Sequence, residues 1–119
     1  MNRVTLPVAA TILALPLPAL AFTALFLQDS PIANFTAEDN QLLITNFRDA
    51  MDNNSDGEVT AWNNETSGVH GTITPTSTVE ADGQTCRNVQ IENTAVGQTA
   101  RSTYRFCKSA EKDWHVVQQ

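Results

Sequence analysis

The sequence predicts an α+β fold: one N-terminal amphipathic helix packed on an antiparallel sheet of about five short strands, with one disulfide. Three observations predict it. Apolar residues recur at helical spacing from Thr36 to Met51, the periodicity switches to alternation beyond Gly57, and Cys86 and Cys107 flank a stretch that can fold back on itself.

The helix has a start signal and a stripe. In Thr36-Ala37-Glu38-Asp39 the threonine can cap, and Asp39 three residues on supplies the acidic partner of a capping box. Leu43, Phe47, Ala50 and Met51 then share one face, which Leu42 and Ile44 widen. In a domain this small such a stripe covers the sheet; docking onto a partner is the sharper use of it.

Asp52-Asn53-Asn54-Ser55-Asp56-Gly57 ends the helix. Asp52, Asn54 and Asp56 fall at positions 1, 3 and 5 of an EF-hand loop, with Gly57 at position 6 and Val59 at position 8. Position 12 is Asn63 rather than a bidentate glutamate, and strand character follows. A polar helix exit and tight turn is the plainer reading. Calcium binding through Asp52, Asn54 and Asp56 is the other.

Four stretches then read as the sheet. Val59 to Trp62 is a first strand, followed by turn chemistry from Asn63 to Gly68. Val69 to Pro75 is a second, with Val69, Gly71 and Ile73 on one face and His70, Thr72 and Thr74 on the other; Thr76 to Glu80 continues it toward an edge. Gln84 to Cys107 is a hairpin, and Trp114 to Val117 finishes the sheet after a turn from Lys108 to Asp113. If the hairpin turns between Val96 and Gly97, Cys86 lies opposite Cys107, Val89 opposite Tyr104 and Ile91 opposite Ser102. Side chains alternate along a strand, so Val89, Ile91, Tyr104 and Phe106 share the core side. Cys86, Asn88, Gln90, Thr103, Arg105 and Cys107 share the other.

The first residues have another purpose. Arg3, the apolar run from Leu6 to Leu20 and the small-x-small Ala19-Leu20-Ala21 make residues 1–21 a signal peptide cut after Ala21. Apolarity continues through Leu27, so an uncleaved anchor is the rival, and it would bring membrane association. No cysteine lies near the cut to carry a lipid. Residues 22–35 read as a linker and residues 36–119 as the domain. An exported chain with two cysteines has one intramolecular pairing available. Closing a loop of about 20 residues is worth about 3 kcal/mol. Two buried free thiols are the alternative.

Thirteen acidic against seven basic residues give a net charge of −6, which disfavours a nucleic-acid partner. Catalytic chemistry finds no foothold. His70 and His115 lie in no metal or triad pattern, Ser67 is in no nucleophile elbow, and the cysteines lack C-x-x-C spacing. No cofactor is implied. Trp62 and Trp114 would form a glycan platform only if exposed and nearly coplanar.

The order of landmarks carries a resemblance. Asp56-Gly57, Trp62-Asn63, Thr66-Ser67-Gly68, Gly71-Thr72-Ile73-Thr74-Pro75, Gly83, Cys86-Arg87, Cys107-Lys108 and Trp114 together resemble the C-terminal globular domain of rickettsial-type outer-membrane surface antigens, from about Glu38 to Val117. The resemblance implies a leading helix before the strands, an envelope location and no activity that maps onto residues. The expected function is that of a non-enzymatic exported envelope protein, in the periplasm or at the outer membrane or cell surface, acting as a structural or interaction module. Its partner would be an envelope protein or a cell-wall component. The contact surface would be the sheet face bearing Asn88, Gln90, Thr103 and Arg105, with the loop around Asn63 and Gly68. A periplasmic glycan-binding or enzyme-inhibitor module is the alternative.

Overall fold

A computed structural model describes residues 30–117. The expected signal peptide and the first part of the expected linker lie outside these residues. Pro31–Asn34 form a short 3₁₀ turn, with Pro31 buried at its start and the Ser30 hydroxyl accepting from Ile32 N at 3.2 Å. Helix α1 is Ala37–Asn53, and the strands are β1 Thr60–Asn63, β2 His70–Ala81, β3 Gln84–Ala95, β4 Gln98–Ser109 and β5 Lys112–Val117. All neighbours are antiparallel, in the order β1-β2-β3-β4-β5.

The helix begins where the sequence places it. Asp39 N donates to Thr36 Oγ1 at 3.1 Å and Thr36 N donates to Asp39 Oδ2 at 2.8 Å, a reciprocal capping box. Its buried side sends Ala50 and Met51 into a core with Trp62, Val69, Ile73, Val89 and Ala95. Phe47 reaches Phe106 with ring centroids 4.7 Å apart.

The three central strands are twelve residues each, longer than the short strands expected. The reason is turn economy. Both central hairpins turn on two residues with positive φ, Asp82-Gly83 (55° and 73°) and Val96-Gly97 (53° and 72°), the type I′ geometry that matches strand twist. Pairing therefore runs right up to the turns, to Ala81↔Gln84 and Ala95↔Gln98. Likewise β4 runs to Ser109, which pairs with Lys112.

The hairpin register is the one read from the sequence: Cys86↔Cys107, Val89↔Tyr104 and Ile91↔Ser102. Cys86 and Cys107 form the disulfide. In β2 the register shifts between Pro75 and Ser77. Pro75 has no N–H to give to the ladder, and the extra residue changes which face each later side chain takes. Thr78 thus lies beside Arg87 on the helix side, and Val79 beside Cys86 on the open side. Beyond Ile73 no described strand flanks β2 on the β1 side, so its continuation forms an edge as expected.

Candidate functional site

Two buried polar groups fix the helix on the sheet. Asp39, 0% exposed, closes the capping box and its other oxygen reaches the β1–β2 loop. Asp39 Oδ1 accepts from Asn64 Nδ2 at 2.8 Å and from Ser67 Oγ at 2.6 Å. Burial pushes the Asp39 carboxyl upward, but the bonds from Ser67, the Thr36 backbone, Asn64 and the Thr36 hydroxyl together outweigh it and hold the group below its ordinary value.

At the other end the Arg87 side chain, 6% exposed, caps the helix with its guanidinium. Nη1 donates to Met51 O at 2.8 Å and to Ala50 O at 3.4 Å. Nη2 donates to Asn54 O at 2.8 Å and Asp56 Oδ1 at 3.0 Å, and Nε donates to Thr78 Oγ1 at 2.8 Å. A cation at a helix C-terminus also meets the negative end of the helix dipole. Both ties were missed by sequence reasoning beyond the capping box itself. One signal was available for Arg87: it shares strand parity with Val89 and Ile91, and an arginine on a core face requires acceptors.

The three EF-hand-like residues are engaged by separate partners. Asp52 Oδ1 accepts from Lys108 Nζ and from Trp114 Nε1, each at 2.9 Å. The Lys108 bond foremost keeps its carboxyl below the ordinary value, against burial and with help from Trp114 and the charges of Lys108 and Arg48. Asn54 Nδ2 donates to Thr60 Oγ1 at 2.7 Å and to Glu58 O at 3.2 Å. Asp56 Oδ1 accepts from Thr78 Oγ1 at 2.7 Å as well as from Arg87. Gly57 N donates to Pro75 O at 2.7 Å, which ties the turn to β2. Among the described residues no three His, Cys, Asp or Glu side chains group as a metal site.

The candidate contact residues fall in two places. Asn88, Gln90, Thr103 and Arg105 lie on the face of the sheet opposite the helix, where Asn88 pairs with Arg105 and Gln90 with Thr103 across β3 and β4. Thr103 is exposed and the other three are half-buried. Asn88 Oδ1 is buried with no hydrogen-bond partner among the described residues. Ser77 lies beside Asn88 and Thr74 beside Gln90, so the polar surface extends onto β2. Asn63 and Gly68 are both exposed and line a shallow cleft of ≈ 530 Å³ with Glu65, His70 and Thr72. The loop behind that cleft is held by the Asp39 bonds to Asn64 and Ser67.

Neither tryptophan presents an open platform. Trp62 is 5% exposed and meets Phe35 edge-on at 5.8 Å, and Trp114 is half-buried with Lys108 Nζ 5.8 Å from its ring centroid. No described helix is long and apolar enough to cross a membrane.

The family model for the 17 kDa outer membrane surface antigen matches residues 49–115, more than half of the 119-residue chain. The matched stretch starts in the last turn of α1 and takes in β1 to β4 and most of β5. No curated protein and no solved structure matches the chain.

Proposed function

We propose that this chain, which belongs to the 17 kDa outer membrane surface antigen family, is a non-enzymatic exported envelope protein whose open polar sheet face serves as an interaction surface. Family membership points to the bacterial envelope. The landmark residues favour the finer reading, a globular domain of the type found at the C-terminus of rickettsial-type surface antigens.

The observation that carries the proposal is the uncovered face itself. The helix takes one side of the sheet, and the other presents Asn88, Gln90, Thr103 and Arg105 as adjoining cross-strand pairs. A paired sheet holds these side chains in fixed relative positions, so a partner meets a preorganised polar surface. The Cys86–Cys107 bond joins the same two strands two residues from Asn88 and Arg105. The partner is an envelope protein or a cell-wall component.

The test compares the mature protein with a variant carrying Asn88→Ala, Gln90→Ala, Thr103→Ala and Arg105→Ala. Both are incubated with purified cell-wall sacculi and with detergent extracts of the source bacterium's envelope. Retention of the wild type, and its loss in a variant that melts at the same temperature, is the expected result. Equal retention of the two proteins would remove this face from the function. Capture of one stoichiometric soluble enzyme would favour the inhibitor reading.

A further inference from the structure

The helix lies over β1 and β2 and leaves the core side of β4 and β5 partly open. The result is an apolar groove of two basins that share Leu43, Ile91 and Phe106. One basin, ≈ 330 Å³, adds Ile44, Phe47 and Trp114; the other, ≈ 350 Å³, adds Pro31, Ile32 and Tyr104. Large apolar side chains stand exposed in and beside it: Ile44 at 47%, Tyr104 at 37% and Val116 at 61%. A contiguous apolar surface of this kind marks a contact.

We infer that the groove is occupied by the chain's own Phe22-Thr23-Ala24-Leu25-Phe26-Leu27, the apolar stretch that cleavage after Ala21 leaves at the N-terminus. Position is the first argument. Ser30, Pro31 and Ile32 form one wall of the groove, so the chain enters the described fold from inside it. Length is the second. The wall from Ala100 to Phe106 measures about 20 Å along β4, and six extended residues span about 20 Å. Chemistry is the third. The segment carries four large apolar side chains and no charged one, its only charge being the terminal amino group of Phe22, and Gln28-Asp29 supplies a short polar connection.

The strand edge adds a fourth argument. β5 pairs with β4 only from Arg105 to Ser109, so on the edge away from β3 the stretch Gln98 to Tyr104 has no described strand beside it. A free strand edge offers backbone groups to which an extended segment can add. Tethering decides between occupants. A segment joined to the groove by two residues competes at the millimolar effective concentrations of a short linker, which a second copy or a foreign chain does not reach at ordinary abundance. The inference is independent of the polar face and rests on cleavage after Ala21.

The experiment begins with the intact mass of the native protein and continues with the mature chain starting at Phe22. Its comparison is a variant with Phe22→Ser, Leu25→Ser, Phe26→Ser and Leu27→Ser. In the wild type, nuclear Overhauser contacts are expected from Leu25 and Phe26 to Tyr104, Phe106 or Trp114, with a monomeric sedimentation profile. The variant is expected to bind the apolar dye ANS several-fold more strongly while keeping the sheet's chemical shifts. Random-coil shifts for residues 22–27 with equal dye binding would overturn the inference. So would a dimer with intermolecular contacts in the groove, or a native mass showing an uncleaved chain confined to membranes.

Discussion

Replacing Arg87 by methionine tests how the helix end is held. Methionine keeps the apolar stem and removes every donor. Of the three backbone carbonyls that the guanidinium serves, Ala50 O alone has a backbone donor as well among the described residues, Asn54 N at 2.9 Å. Met51 O would lose its partner in a buried setting and Asn54 O in a part-buried one. An unsatisfied carbonyl costs about 1–3 kcal/mol, so two cost roughly 2–6 kcal/mol. Relief from desolvating the guanidinium offsets part of this. A net loss of about 3 kcal/mol is expected, a large fraction of the roughly 5–15 kcal/mol that holds a domain together. In a domain of this size that lowers the melting temperature by about 12–24 °C.

The assay is urea and thermal unfolding with the disulfide intact, followed by circular dichroism at helix and tryptophan wavelengths. Arg87→Lys supplies the control. A lysine keeps the charge near the helix C-terminus but cannot reach Thr78, Met51 and Asn54 from one nitrogen, so it should recover less than half of the loss. An Arg87→Met protein within about 1 kcal/mol of wild type would refute the reasoning, because the carbonyls would then be satisfied without the guanidinium.

Three other expectations follow from particular positions. Gly71→Ala would place a Cβ 2.6 Å from the backbone Glu92 O and 2.8 Å from both Asn93 Oδ1 and Trp62 Nε1; since the backbone oxygen has little room to move, a loss of about 1–3 kcal/mol in urea unfolding is expected. Val96 holds a φ of 53°, which a β-branched residue adopts only under strain, so Val96→Asn should raise stability by about 1 kcal/mol and the melting temperature by several degrees. Asp39, Asp52 and Asp56 all have carboxyls held below their ordinary value, Asp56 chiefly by the Thr78 and Arg87 bonds. Groups lowered in the folded state contribute stability that is complete above about pH 4–5 and lost as the pH falls through their folded values. A melting-temperature series from pH 7 to pH 2 should therefore be flat at first and then fall, and Asp39→Asn should flatten the acid limb.

Much of the fold was legible because it depends on local chemistry. Thr36 and Asp39 make a capping box within four residues, and Val96-Gly97 sets a hairpin register that twelve cross-strand pairs then repeat. Alternation assigned Val89 and Phe106 to one face and Asn88 and Arg105 to the other. What stayed hidden was the nonlocal part. Asp39 and Ser67 stand 28 positions apart, and Arg87 and Met51 stand 36 apart. No period in the sequence joins them. The groove was hidden for a related reason: Leu43, Ile91 and Phe106 each read as core, and only the placement of the helix over β1 and β2 shows that it cannot cover all of them.

That placement gives the landmark residues a physical meaning. Asp56 receives Arg87, Gly57 ties its turn to Pro75, Ser67 receives the helix start through Asp39, and Gly71 leaves room for Trp62. Each fixes the helix or the loops next to it. None needs a partner to explain it. The landmarks therefore describe a scaffold, and under the proposed function specificity is carried by positions that the scaffold leaves free. Asn88, Gln90, Thr103 and Arg105 are such positions, since no side-chain bond described in the fold uses any of them. Two proteins sharing every landmark could then differ entirely in what they contact, and exchanging these four side chains between them should move binding without moving stability.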